Sequence, residues 1–515
     1  MTAGWRRRDR LAMAALVAAA LTLRLALRID HDEDIDALRF ALGVERFDVA
    51  ALRPHAPYYP VFIAAAKLCA LLGASPRAAL GVVSAAAGAA TVALTALLAR
   101  EIAAGTSPAW TERRAALAAA ALALASPALW LASEKLLSDM AGTAVFTAAL
   151  WLCARARRRA LAGAPARAAA ERTAALVLLG VGLGVRLSYF PIALAASAVI
   201  AHADARAAGA GGALRAWAAR AGDLAAGALA WLIPLVIVAP PRDLVATTWA
   251  QGIGHFTRWG GSAITVPSPA ARLGGAAWGI WANALGGAWP DAPAARWIGA
   301  PALALLLGAA ASAWRRGGAL RRQPELWAAG ITYFAWALLG QNTVHKPRHW
   351  LPLVPLLIAA MAAGAGTLAQ LRRRLAVLPA AAVALLAAQW LADGLALARI
   401  HRAPSPAAAI VAFLRDRADD GRPILTRDLA QMIEVGAPGR RPRRVSGDAE
   451  LLRALEQAGP AGVLITGEAL SPAVRAALAA RGDAVSILFA RPRSRYVDAL
   501  WSDLALLEVR PTLGS

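Results

Sequence analysis

Five acids fall within seven residues in Asp30-His31-Asp32-Glu33-Asp34-Ile35-Asp36. Such a row has two readings. It is a solvated loop that orients the chain beside it, or it carries a carboxylate that acts as general base or grips a divalent cation. A base there would take the proton of an incoming hydroxyl. Further on, Arg53-Pro54-His55-Ala56-Pro57-Tyr58-Tyr59-Pro60 sets Arg53 and His55 just before a helix start. A cation beside a helix N-terminus suits a phosphate, and the same residues equally make a proline turn with solvated basic groups.

Four more polar stretches interrupt apolar runs. Ser133-Glu134-Lys135-Leu136-Leu137-Ser138-Asp139 holds two acids, Glu134 and Asp139. Acids at membrane depth are expensive and usually have a purpose, although Glu134 and Lys135 also suffice to neutralise one another. Val185-Arg186-Leu187-Ser188-Tyr189 places Arg186 between two weak apolar runs. His255 and Arg258 follow in Gly254-His255-Phe256-Thr257-Arg258-Trp259, and His345, Lys346, Arg348 and His349 crowd the stretch from Gln341 to Trp350. Lysine occurs only at Lys67, Lys135 and Lys346 among 55 basic residues, which fits sites where a compact point charge is wanted.

The elements that must position these groups follow from composition. The chain has 515 residues, 59% of them hydrophobic, and a mean hydropathy of +0.50. Its apolar residues fall in blocks of about 15–22 divided by arginine clusters, the pattern of a multi-span membrane protein. Disorder, a disulfide scaffold and an all-soluble enzyme are excluded. The net charge of +23 is almost all arginine and sits beside apolar runs. That placement reads as membrane topology rather than nucleic-acid binding. Cys69 and Cys153 lie in apolar stretches, which speaks against a structural disulfide or a cysteine metal site.

Charge parity orders the spans. With Arg6, Arg7, Arg8 and Arg10 inside, the first span runs from Leu11 to Ile29. The clusters at Arg100 with Arg113 and Arg114, Arg155–Arg159, Arg206–Arg220, Arg315–Arg322 and Arg372–Arg374 are then all cytoplasmic only if an even number of crossings separates each from the next. Of the runs Tyr58–Leu72 and Leu80–Leu98 only one can cross. The first is short and carries Lys67, so it is interfacial or re-entrant. Arg272–Trp289, with three tryptophans, is interfacial for the same reason. Further spans are expected at 115–132, 140–155, 173–187, 189–202, 222–239, 297–314, 325–341, 350–369 and 375–396. This makes about eleven crossings and puts all six polar stretches on the outer face.

After Ala403-Pro404-Ser405-Pro406 the pattern changes. Helical patterns at Ala407–Arg417, Ala449–Gln457 and Pro472–Ala480 alternate with strand-like runs at Pro423–Thr426, Gly462–Thr466, Val485–Phe489 and Ala505–Val509. The expected fold is therefore an all-α polytopic membrane domain over 1–402 with a small soluble α/β domain over 403–515, outside the membrane. An outer face that is acidic near the first span and basic elsewhere suits a polyprenyl phosphate-linked sugar. Its tail stays in the bilayer, its phosphate meets basic groups, and its sugar faces a carboxylate.

The motif order resembles the integral-membrane GT-C glycosyltransferases, of the protein mannosyltransferase and aminoarabinose-transferase kind. Asp32-Glu33 is similar to the acid pair of their first outer loop, and Arg53 to Tyr59, with Tyr58 as an aromatic, to the basic residue and prolines that open the next helix. Ser138-Asp139-Met140-Ala141-Gly142, Gly182 to Ser188, and Arg348-His349-Trp350-Leu351-Pro352-Leu353-Val354-Pro355 match three further motifs. The resemblance covers roughly residues 10–395. His55-Ala56 departs from the usual proline pair, and Asp34 and Asp36 blur which acid matches the family base.

The resemblance implies inverting transfer of a hexosyl or pentosyl group from a polyprenyl phosphate donor to a lipid, glycan or protein acceptor. The reaction face would be the periplasmic side of the inner membrane. Asp32 would be the base with Glu33 beside it. Arg53 would hold the phosphate with help from Arg258, Lys346 or Arg348. It names neither a cofactor nor a metal, and divalent-cation dependence stays open. A flippase or other transporter of lipid-linked glycans is the alternative. Transporters favour internal repeats and mid-span charges, whereas here no clear repeat is visible and the polar groups gather at one face.

Overall fold

Five serine–proline pairs each open a helix. Ser75, Ser126, Ser268, Ser405 and Ser471 accept hydrogen bonds from the backbone N–H of Ala78, Leu129, Ala271, Ala408 and Val474. The proline that follows each serine occupies the first helical turn, where its missing N–H costs nothing. The computed structural model describes residues 5–104, 109–316, 321–371, 377–457 and 461–510. The arginines at 372–374 and residues 317–320 of another basic cluster lie outside them. Two compact units emerge: Met1–Arg28 with Phe40–Ala398, and Ile29–Arg39 with Arg399–Ser515.

The helices through the first unit begin with α1 (Arg7–Leu27), α2 (Ile35–Glu45), α3 (Pro60–Leu71), α4 (Pro76–Ala103) and α5 (Ala109–Ala125). Next come α6 (Pro127–Glu134), α7 (Asp139–Leu161), α8 (Pro165–Val185), α9 (Phe190–Ala208) and α10 (Ala213–Val238). The series closes with α11 (Pro241–Gly254), α12 (Pro269–Ala277), α13 (Ala294–Arg315), α14 (Pro324–Gly340), α15 (Leu353–Leu371) and α16 (Val377–Arg402).

Among the described residues, eight helices are long and apolar enough to cross a membrane, or nine if α5 and α6, bent by 55°, form one span. The chain is a multi-pass membrane protein. Of the eleven expected crossings, α14 and α7 are the two that miss this test of length and hydropathy. Helix α14 has 17 residues, and α7 carries Arg155, Arg157, Arg158 and Arg159 toward its end. Helix α3, an apolar helix of 12 residues, is too short to cross, and 269–289 forms a nine-residue α12 followed by a π-helical turn.

Alanine and glycine set the packing. Gly180 of α8 and Gly227 of α10 face one another. A Cβ on Gly180 would strike the Leu224 carbonyl, and one on Gly227 the Val177 carbonyl. Small residues of this kind let two backbones touch, which is how helices gain contact in a solvent as apolar as themselves. A buried ion pair ties α13 to α16, where Arg296 Nε lies 3.0 Å from Asp393 Oδ2.

The arginine clusters pair with acids of neighbouring helices. Arg113 reaches Asp9 at 3.2 Å, Arg158 reaches Glu101 at 2.6 Å and Arg157 reaches Glu325 at 3.3 Å. Arg172 pairs with Asp204, and Arg220 lies 3.3 Å from the same carboxylate. These contacts gather the start of α1, the end of α4, the end of α7 and the starts of α8, α10 and α14 on one side. The start of α7, the end of α8 and the end of α14 therefore lie at the opposite side, and these ends carry the polar motifs.

The second unit is a small α/β fold. Its helices are α17 (Pro406–Asp416), α18 (Ala430–Gly436), α19 (Asp448–Glu456) and α20 (Pro472–Ala480). Its strands are β1 (Ile424–Thr426), β2 (Pro442–Arg444), β3 (Val463–Thr466), β4 (Ala484–Ala490) and β5 (Ala505–Arg510), in the order β2-β1-β3-β5-β4. Strand β1 is parallel to β2 and β3, while β5 is antiparallel to β3 and β4. Leu425, Leu451, Ile465, Val474, Leu478 and Leu507 build its core. Helix α18 and strand β2 have no counterpart in the expected pattern.

Candidate functional site

In the first unit, Arg186 is the hub. It occupies the extended break after α8 and is 6% exposed. Its Nη2 lies 2.9 Å from Asp139 Oδ1, and its Nη1 donates to Ser138 Oγ at 3.1 Å. Its guanidinium sits 6.0 Å from the Tyr59 ring centre and 5.8 Å from that of Tyr189. Gly142, one turn into α7, makes this approach feasible: a Cβ there would lie 3.0 Å from Arg186 Cβ and 3.1 Å from Tyr189 Cε2. Gly182 likewise leaves room for Phe146. The glycines of the two motifs thus act as spacers that let α7 and α8 bring Asp139 to Arg186.

From Arg186 an aromatic column leads to the start of α15. Tyr189 and Tyr333 pack edge to face at 5.4 Å, and Tyr333 Oη donates to the His349 carbonyl at 2.8 Å. His349 is buried, and its Nδ1 has no hydrogen-bond partner among the described residues. Burial, then the charges of Arg186, Arg348, Lys346 and His255, holds His349 well below the usual histidine range. His345 is also lowered, by burial and Lys346, and its N–H donates to Asn342 Oδ1 at 3.1 Å.

The stretch holding His255 is pinned to the end of α14. His255 Nε2 lies 3.0 Å from the Gly340 carbonyl, and Ala263 N donates to the Leu339 carbonyl at 2.8 Å. The buried Arg272 donates to the carbonyls of Leu338, Gly261 and Gln341, taking up groups that the end of α14 leaves unsatisfied. Burial lowers His255. Arg258 is exposed, and no described contact joins it to this group.

The proline loop contributes through a tyrosine that sequence reasoning passed over. His55 packs 5.2 Å from the Tyr59 ring, so Tyr59 stands between His55 and Arg186. Tyr59 adopts φ 48 as it opens α3, and Tyr58 adopts φ 69. Tyr58 turns to α11, where its Oη donates to the Leu244 carbonyl at 2.8 Å and meets Thr248 Oγ1 at 2.9 Å. Arg53 is held by paired backbone hydrogen bonds with Asp48, and its Nε is buried without a hydrogen-bond partner among the described residues. Glu134 is fully buried and coupled to Arg24 of α1, which donates to Ser133 Oγ at 3.1 Å.

In the second unit the acidic row is differentiated. Asp34 Oδ1 accepts from Ala37 N at 2.9 Å and caps α2, whose first turn carries Asp36. Asp30 is exposed, with Oδ1 3.8 Å from His31 Nδ1. Glu33 is 6% exposed and engaged by Arg493 and His401. Asp32 is half-buried. Among the described residues no three His, Cys, Asp or Glu side chains gather as metal ligands.

Fold and site define a polytopic membrane protein with a buried Arg186 and half-buried Lys346 and Arg348 at the helix ends opposite its arginine-paired side. The chain is similar in structure to ArnT from Cupriavidus metallidurans bound to undecaprenyl phosphate, at a TM-score of 0.51 and 14% identity over 96% of this chain and 97% of that one. The apo form of that ArnT gives 0.52 and 15%. The oligosaccharyltransferase of Archaeoglobus fulgidus in its apo form matches at 0.51 and 14% identity, over 89% of this chain and 69% of that one. Both are membrane glycosyltransferases of the GT-C superfamily, and the chain has the GT-C fold. No family model and no curated protein sequence matches it.

Proposed function

We propose that the chain is a membrane glycosyltransferase that moves a sugar from a polyprenyl phosphate donor to a hydroxyl acceptor on the outer face of the inner membrane. The observation that carries this is the buried Arg186, fixed by Asp139 and Ser138 beside the rings of Tyr59 and Tyr189, in a GT-C fold, one neighbour of which is bound to undecaprenyl phosphate. In the transfer, the acceptor oxygen bonds to the anomeric carbon as the bond from that carbon to phosphate breaks and the lipid phosphate leaves with the electron pair. The leaving phosphate passes from one negative charge toward two. A preorganised cation therefore binds the transition state more strongly than the donor. Asp32 is the acid proposed to take the acceptor proton.

The test is reconstitution of the full chain into liposomes with radiolabelled undecaprenyl phosphate sugars and membrane extracts. Label should move to an acceptor, and free undecaprenyl phosphate should compete. Label that crosses the bilayer while still on its lipid would favour the flippase reading instead.

A further inference from the structure

Glu33 is held at both its side chain and its main chain by residues of its own unit. Glu33 Oε1 accepts from Arg493 Nη2 at 3.0 Å, and His401 Nε2 lies 2.9 Å from the same oxygen. Arg493 Nη2 also donates to the His401 carbonyl at 3.1 Å, which ties the three residues into one buried cluster. Ser405 Oγ donates to the Glu33 carbonyl at 2.9 Å, and the same hydroxyl caps α17. Arg493 is fixed in turn by its own N–H, which donates to the Ser502 carbonyl at 2.8 Å.

A general base must aim a lone pair at the proton it takes. Two partners share Glu33 Oε1, and the side chain is nearly closed to solvent. The neighbouring Asp34 is spent on capping α2. Asp32 is therefore followed by one residue clamped at carboxylate and carbonyl and a second fixed as a cap. A clamp of this kind limits the acid to its own side-chain rotations, which is how proteins hold reacting groups to within a fraction of an ångström.

We infer that Glu33 is a positioning residue rather than a base, and that the C-terminal unit serves the reaction by holding Asp32 in place through Arg493 and His401. This rests on the transferase reading above. It gives a catalytic purpose to a soluble unit whose sequence carries no motif of its own.

The test uses the purified full chain with Glu33→Gln, Arg493→Ala, Arg493→Lys and the Glu33→Gln/Arg493→Ala double variant. Hydrogen exchange over residues 29–39 reads the anchor, transfer from a labelled undecaprenyl phosphate sugar reads catalysis, and undecaprenyl phosphate binding reads the lipid site. Removing one partner of a buried pair should speed exchange about tenfold or more. Misplacing the acid should lower kcat about 10²-fold, with undecaprenyl phosphate binding within about twofold of wild type. The double variant should be no worse than the worse single one, because both remove one clamp. Arg493→Lys, which keeps the charge, should recover part of the rate.

Full transfer activity in Arg493→Ala overturns the inference, as does a Glu33→Gln loss that Arg493→Ala does not share. A wild-type chain that transfers no label overturns the functional reading alone. The anchor is then supported or overturned by the exchange rates.

Discussion

Asp139 Oδ1 and Arg186 Nη2 stand 2.9 Å apart, with both side chains buried where α7 begins and α8 ends. Two charges at this depth are costly to desolvate, and the pair persists because each supplies the other's counterion. The pair also aims Arg186, which would otherwise turn to any nearby carbonyl. Asp139→Asn keeps shape but leaves the guanidinium uncompensated. Losing one partner of a buried pair costs about 3–5 kcal/mol. Thermal unfolding in detergent should show a clear drop, with undecaprenyl phosphate binding altered as Arg186 reorients. An unchanged melting temperature would show that the pair is solvated rather than buried.

Gly142 tests the same geometry from the other side. A Cβ there meets Arg186 Cβ at 3.0 Å and Tyr189 Cε2 at 3.1 Å. Gly142→Ala asks these neighbours to give by a few tenths of an ångström, and Gly142→Val by more. Overpacking of this sort costs about 1–3 kcal/mol. The valine variant should melt lower than the alanine variant and bind undecaprenyl phosphate less tightly. Equal melting temperatures for both variants and wild type would remove Gly142 as a spacer.

Much of this was legible in the sequence, and what was not has physical causes. Serine–proline pairs announce helix starts, and arginine clusters announce one side of the membrane. The span count suffers because alanine is only weakly apolar, so run lengths blur. Strand β2 is Pro-Arg-Arg at a sheet edge, with no apolar alternation to reveal it. Asp139 and Arg186 were each visible as motif residues, but their partnership depends on Gly142 and Gly182 letting two helices meet. Tyr58 and Tyr59 are neighbours with left-handed backbone, so nothing local decides which faces Arg186. Glu33 looked like one acid among five, and its difference lies in Arg493, 460 residues away.

Acid should destabilise the folded chain. His349, His255 and His31 are all held below the ordinary histidine value of 6.5, in each case first by burial. A histidine lowered on folding is neutral in the native state while the unfolded chain takes up its proton. Stability is therefore whole above about 6.5 and falls as pH drops from there toward the lowered native values. His349, lowered furthest, should extend the decline to the lowest pH. Melting curves from about pH 7.5 to 5 should shift downward in wild type and less in His349→Gln. A wild-type curve that rises on acidification would contradict buried neutral imidazoles.

Asp32 carries the chemical proposal, and the structure sharpens its controls. General-base help is worth about 10²–10⁴ in rate, so Asp32→Asn should nearly abolish transfer while the chain inserts and melts as wild type. Asp34 is a cap on α2, and asparagine caps as well as aspartate. Asp34→Asn should therefore keep activity, whereas Asp34→Ala should lose about 1 kcal/mol of stability and loosen the segment beside Asp32. Asp36 in the first turn of α2 favours the helix dipole by only a few tenths of a kcal/mol or so, so Asp36→Asn should be mild. The pattern that matters is the contrast. If Asp32→Asn and Asp34→Asn transfer sugar at the same rate, the base lies elsewhere. Glu134 is then a poor substitute, because it is fully buried and coupled to Arg24. Asp139 is already committed to Arg186. If either of these two buried acids served as the base, its variant would lose stability along with activity. Asp32→Asn predicts the opposite signature, a lost rate on an intact fold.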